Sequence, residues 1–233
     1  MSETLRRRLR RSSLRTLTDL GATVGFLDRI GEAMRSSHGT SSAGAEPDAH
    51  RAPASGDDRW YVESDGDADR FVGTPPPLHL IDYRDSGGER VLRLCEDSTG
   101  LLVGPTDRRL QRAGIFVSQL RGEAYHEQDC RRGDFAPGSP VKLVREPSNP
   151  HDPNAVAIYD SSGRHHAAYV NKQKARSLAR LLDAGQELAA ISIRGTKAGV
   201  ACSQVAILAA DPGVLRHLLS PRPTHLPPPA HVR

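Results

Sequence analysis

The sequence predicts an α+β domain, mainly β, in which a curled antiparallel sheet or barrel carries one or two helices between disordered flanks. Three observations predict it. From about residue 112 onward, short apolar segments of strand character follow one another, separated by Gly, Pro, Ser and Asp turns. That rhythm breaks once, at "NKQKARSLARLLDAGQ", where the apolar spacing becomes helical. Residues 35–58 and the tail from residue 212 lose apolar periodicity and fill with Ser, Gly, Ala and Pro. Many short strands around one or two helices give a sheet that curls toward closure.

The elements follow in order. "LRRRLRRSSLRTL" is a cationic arm, with Arg6, Arg7, Arg8, Arg10, Arg11 and Arg15 opposed only by Glu3. Leu17, Leu20, Val24, Leu27, Ile30 and Met34 then recur at helical spacing, weakened by Gly21, Gly25 and Gly31, so residues 1–34 read as a basic arm and amphipathic helix. Residues 35–58 are a disordered linker by composition. In residues 59–111, "PPPLHLIDY" and "ERVLRLC" read as strands around the turn "DSGGER", either a β extension of the main domain or a small separate module.

The main domain spans residues 112–211. "AGIFVSQLRG" is its first strand. "GSPVKLVRE" is the second, with Val141, Leu143 and Arg145 on one face. "AVAIYD" is the third, "SSGR" a turn and "HHAAYV" the fourth, with His165 and His166 expected on an exposed strand, one facing each way. Ala175, Leu178, Ala179 and Leu182 form the buried stripe of the helix, which Asn171 caps and Gly185 stops. "ELAAISIRG" and "ACSQVAILAA" return to strand. Residues 212–233 read as a Pro-rich disordered tail.

Of the 233 residues, 37% are apolar and 4% aromatic, so the core is modest. A formal net charge of +4 favours polyanions, though by itself it fits ordinary solubility equally well. Cys95, Cys130 and Cys202 are odd in number and far apart, which reads as a reducing compartment without a disulfide scaffold. No run reaches a membrane span and no signal peptide is apparent, so a cytoplasmic protein without a membrane partner is expected.

The chemistry concentrates in "KLVREPSNPHDPNAVAIYD", residues 142–160. Pro147, Pro150 and Pro153 fix their own φ and push Glu146, Asn149 and Asp152 into extended geometry. Asn149 and Asp152 add Asx turns, so the crossing should be a stiff loop of defined shape, with Asn149 a brace. For His151 and Asp152 a bracing role and a functional one are both open. Other chemistry finds less support. There is no phosphate-binding Gly-rich loop and no activated thiol. His126 with Cys130, and His165 with His166, lack the paired half-sites of a zinc module, so no cofactor is expected and zinc is a remote alternative. Glu146, Asp152 and Asp160 are too spread to make a convincing metal-dependent nuclease.

"VKLVREPSNPHDPNAVAIYDSSGRHHAAYVNKQKARSLARLLDAG" resembles the HIRAN domain, in which a strand runs through an Arg-Glu-Pro and Asn-Pro-aromatic-Asp-x-Asn-Ala loop into a second strand, then a turn, a strand and a helix. The resemblance covers about residues 112–210. It implies a fold similar to oligonucleotide-binding barrels and a non-catalytic module that grips single-stranded DNA at a free 3′-hydroxyl end, in DNA repair or replication-fork processing. It also implies a site of Asp152, His151, Asn154 and Tyr169, with Arg145, Arg121, Lys172 and Lys174 on the phosphates. The helix N-terminus would add free amides suited to an anion, and the arginine arm sequence-blind affinity. Gln119 and Leu120 stand where DNA-end-binding members carry rings, Ala168 replaces a Gly, and His151 replaces a Tyr. Weaker or less selective binding is therefore expected, with Arg121 substituting in part by stacking its guanidinium. The alternative reading is a protein-interaction module that recruits a separate helicase, translocase or nuclease.

Overall fold

The computed structural model describes residues 58–202 and 204–230, all within one compact unit, Pro53–Arg233. The basic arm and helix expected at 1–34, and all but the end of the linker expected at 35–58, lie outside the described residues. Strands β1 (Leu78–Arg84), β2 (Arg90–Glu96) and β3 (Leu102–Val103) form an antiparallel three-stranded sheet. After a short helix α1 (Arg109–Arg112) come β4 (Phe116–Arg121), α2 (Glu127–Arg132), β5 (Pro140–Arg145), β6 (Val156–Asp160), β7 (His166–Val170), α3 (Lys172–Asp183), β8 (Ala189–Arg194), β9 (Ala206–Ala210) and α4 (Pro212–Leu219). The six strands β4-β7-β6-β5-β8-β9 close into an antiparallel barrel, which is the mainly β, α+β architecture expected.

Period-two alternation splits the core into two clusters. On β9, Ile207 and Ala209 join the barrel interior with Leu120, Val156, Ile158, Ala168 and the Ala175, Leu178 and Ala179 stripe of α3. Leu208 and Ala210 belong instead to a second cluster, with Val117 of β4, Ile191 and Ile193 of β8, and Leu78, Leu92 and Leu94 of the three-stranded sheet. Strands β4, β8 and β9 are thus buried on both faces where that sheet covers them. This is why "AAISI" and "VAILAA" are apolar runs rather than alternating ones. It also answers the question left open for residues 59–111: they form an extension that shares a core with the barrel. Each fully buried Leu or Ile in that shared layer contributes about 1.5–3 kcal/mol of burial free energy. Glu96, 3% exposed, anchors the extension by taking both prongs of Arg70 at 2.8 Å, plus the Ser98 and Thr99 hydroxyls.

The expectation of a disordered tail from residue 212 is corrected. Asp211 caps α4 by accepting from the Gly213 and Val214 amides, Pro212 sits where its missing N–H costs nothing, and Leu215 and Leu218 are buried in the second cluster. His217 Nε2 bonds the Pro76 carbonyl at 3.0 Å, beside the His79–Asp97 pair on the sheet. Farther on, Arg222 donates to the Glu96 and Asp97 carbonyls and the Ala230 amide to Gly100. Proline content was a poor guide because tertiary partners, not local periodicity, order this segment.

Two further expectations are corrected. Cys130 of α2 and Cys202 are joined by a disulfide with Cα atoms 5.6 Å apart, although 72 residues separate them; Cys95 is free and buried. Barrel closure brings the two together, which spacing along the chain does not disclose. His166 does not decorate an exposed strand: it is 7% exposed, because a register shift after Ile158 sets it opposite Tyr159 under α2. Among the described residues no helix is long and apolar enough to cross a membrane.

Candidate nucleic-acid interface

The crossing from β5 to β6 is stiff for reasons its own residues supply. The Glu146 amide donates to the Ala155 carbonyl, and the Ala155 amide to the Asp152 carbonyl, which closes the loop base. Asn149 Oδ1 accepts from the His151 amide at 3.0 Å and the Asp152 amide at 3.3 Å, while its Nδ2 donates to Glu146 Oε2 at 3.0 Å. Asn149 is therefore the brace expected. Asp152 Oδ1 accepts from the Asn154 amide at 2.8 Å and from Asn154 Nδ2 at 3.3 Å. Its Oδ2 takes no hydrogen bond among the described residues. Asp152 and Asn154 are half-buried and His151 is exposed, so the tip presents one carboxylate oxygen and one imidazole.

Arg145 is placed differently from a phosphate ligand. Its Nε and Nη2 grip the two carboxylate oxygens of Asp183, at the end of α3, at 2.9 and 3.0 Å. Nη1 donates to the Ala155 carbonyl at 2.9 Å and Nη2 to the Pro153 carbonyl at 3.1 Å. The side chain is 16% exposed and its donors are largely spent on holding the loop. The side-chain bond to Asp183 raises its pKa further and lowers that of Asp183.

Beside the loop, Tyr169 of β7 donates its hydroxyl to Glu146 Oε2 at 3.0 Å. Burial, then the Glu146 carboxylate, pushes this phenol up to about 12, so it remains a donor at neutral pH. Sequence reasoning weighed Glu146 only as a nuclease carboxylate and gave it no DNA-binding role, yet it joins Asn149 to Tyr169. Three rings pack together there, two of them partly exposed and His166 buried between them. His166 stacks on Tyr159 at 4.8 Å and 16°, meets Tyr169 edge-on at 4.8 Å, and lies 3.9 Å from His126. Burial and the neighbouring His126 lower the His166 pKa, keeping its imidazole neutral near pH 7. Tyr159 was detectable as the outward partner of the apolar Ile158; His126, from the turn before α2, was weighed only with Cys130, and nothing local joins it to His166.

The remaining predicted residues flank this patch. Arg121 of β4 pairs across the strand boundary with Tyr169, is exposed, and carries no hydrogen bond or ion pair on its side chain among the described residues. Asn171 caps α3 by accepting from the Gln173 amide at 3.0 Å, as expected, and its own amide bonds Ser118 Oγ of β4 at 3.3 Å. Lys172 is exposed and Lys174 half-buried in the first turn of that helix. Thus Asp152, His151, Asn154 and Tyr169 form one network, Arg121 adjoins it, and Lys172 and Lys174 follow at the end of β7. Leu120 points into the barrel at 1% exposure, so no stacking position exists there; Gln119 and Arg121 face outward. The carboxylates weighed for a nuclease are not brought together: Asp160 closes the turn at the far end of β6 by accepting from Ser162, Gly163 and Arg164. Cys130, weighed with His126 for zinc, is spent on the disulfide.

The family model of the HIRAN domain matches residues 113–206. Among solved structures, the HIRAN domain of human HLTF is 20% identical, with 45% of this chain and 83% of that one covered and a TM-score of 0.34. A protein from Lactobacillus plantarum is 21% identical over 40% of this chain and 91% of that one, with a TM-score of 0.33. No curated protein matches the chain. Residues 113–206, which hold the braced crossing loop and most of the closed barrel, thus match the HIRAN domain family, known as a nucleic-acid-binding module.

Proposed function

We propose that this domain binds single-stranded DNA and recognises its free 3′-hydroxyl end, without catalysis of its own. The observation that carries the reading is the half-free carboxylate of Asp152: Oδ1 is held by Asn154 while Oδ2 carries no hydrogen bond among the described residues. A carboxylate accepts a hydrogen bond from a terminal hydroxyl and repels a phosphate in the same place. Supporting it, His151 offers a ring at the tip, and Tyr159 and Tyr169, half-buried and packed on His166, offer ring faces at its base, where base stacking contributes about 1–3 kcal/mol per base. Arg121, Lys172 and Lys174 supply cations for preceding phosphates, and Arg145 serves by holding the loop.

Fluorescence anisotropy with matched 3′-hydroxyl and 3′-phosphate oligonucleotides tests this. A hydrogen bond to a charged group is worth roughly 1.5–3 kcal/mol, so the hydroxyl form should bind at least about tenfold more tightly. Asp152→Asn should erase most of that preference. Equal affinity for the two ends in the wild-type chain would rule out end recognition.

A further inference from the structure

The extension does more than cover the barrel. Where β2 crosses the outer wall of the barrel it leaves a cleft of about 240 Å³, lined by Val91, Arg93, Val117, Gln119, Ile193 and Arg194 among others. The cleft exists because β3 pairs only with Leu94 and Cys95, so the β2 edge from Val91 to Arg93 is not covered by a third strand. The family match begins at residue 113, so Val91 and Arg93 lie outside it and one wall of this cleft belongs to the extension.

Two arginines there have uncommitted donors. Arg93 Nε and Arg194 Nε are buried without a hydrogen-bond partner among the described residues. Arg194 gives its Nη2 to Asp85 at 2.6 Å and lies 3.9 Å from Glu89, so its charge is partly matched. Arg93 has no ion pair among the described residues. A buried donor without an acceptor costs about 1–3 kcal/mol, and an anionic oxygen seated in the cleft would remove that cost. The other walls are apolar, and Gln119 adds a carboxamide that can both donate and accept. The volume falls below the roughly 300–1,000 Å³ typical of sites for drug-sized ligands, and suits a single nucleotide unit.

The cleft is also continuous with the patch around Tyr169. Gln119 and Arg121 are alternate residues of β4, both exposed and on its outward face, about 7 Å apart at the usual strand rise. Arg121 is paired with Tyr169. A strand running from the Asp152 loop over Tyr169 and Arg121 therefore arrives at Gln119 and the arginines.

We propose that this cleft is a second nucleotide subsite, in which Arg93 and Arg194 take a backbone phosphate of single-stranded DNA and Val91, Val117 and Ile193 flank a base. The inference rests on the reading of single-stranded DNA as the ligand, and it gives the extension a function of its own: it lengthens the binding track beyond the domain's end-binding loop.

The test uses the full chain and thymidine oligonucleotides with free 3′ hydroxyls, about four and about twelve nucleotides long, both within the roughly 4–16 nucleotides that one barrel covers. Arg93→Gln should leave the short oligonucleotide's affinity unchanged, weaken the long one about tenfold, and lower the salt slope for the long one by about one. Arg93→Lys should keep most of that slope. Should Arg93→Gln unfold, Gln119→Glu, at an exposed position of the cleft, should produce the same selective loss. If the variants bind the long oligonucleotide with wild-type affinity and slope, the subsite is wrong and end binding stands alone. If the short oligonucleotide does not bind but the long one binds through Arg93, the cleft stands and end recognition fails. Absence of binding to both overturns both.

Discussion

Replacing Arg145 with Met separates a structural clamp from a DNA contact. The variant keeps the length and apolar stem of the side chain and removes every donor. Two of its bonds hold the loop directly, to the Ala155 and Pro153 carbonyls at 2.9 and 3.1 Å. Hydrogen bonds of this kind, from a charged donor, contribute roughly 1.5 kcal/mol each at the lower end of their range. The pair with Asp183 is left out of the sum because that carboxylate is solvent-exposed and its attraction is screened. The expected loss is therefore about 3 kcal/mol. For a domain of this size each kcal/mol moves Tm by roughly 2–4 °C, so differential scanning calorimetry should register a fall of about 6–12 °C. The same variant, assayed for DNA binding below its transition, should keep the wild-type salt slope, because no phosphate contact is removed. A variant with unchanged Tm whose salt slope drops by about one would show that Arg145 holds phosphate, and the clamp described here would be wrong.

The two remaining predictions concern protons and thiols. His166 has a folded-state pKa below its unfolded value of about 6.5, so the stability it contributes is present above about pH 6.5 and is lost as pH falls through the folded pKa; His166→Phe should show a smaller fall in Tm between neutral and mildly acidic pH, and an identical acid limb would contradict the assignment. Reduction of Cys130–Cys202, which bridges 72 residues, should cost about 2–4 kcal/mol; a paired Cys130→Ser, Cys202→Ser variant should melt where the reduced protein does and ignore reductant, and no Tm shift on reduction would exclude a stabilising bridge.

The loop that carries the candidate site was legible because its determinants are neighbours in the chain. Pro147, Pro150 and Pro153 act on the residue before each, and Asn149 and Asp152 bond amides two or three positions on. The cap on α3 was legible for the same reason: Asn171 reaches only to Gln173. What escaped was nonlocal. Arg145 looked like a free cation until α3 delivered Asp183, 38 residues later, to its guanidinium. His126 and His166 meet only because α2 packs over β7. Leu120, which the resemblance sets where other members carry a ring, is turned inward by the barrel parity.

By itself, then, the chain's order of residues determined which segments are strands, which is the main helix, where the rigid crossing lies and which family pattern it follows. These are set by torsional preferences and by bonds spanning a few residues. Only the closed barrel decided that residues 59–111 share its core, that Cys130 meets Cys202, that α4 is a helix packed on the sheet, and that an arginine-lined cleft opens at the seam. Those outcomes depend on pairs far apart in sequence, whose attraction acts only after closure has brought them together.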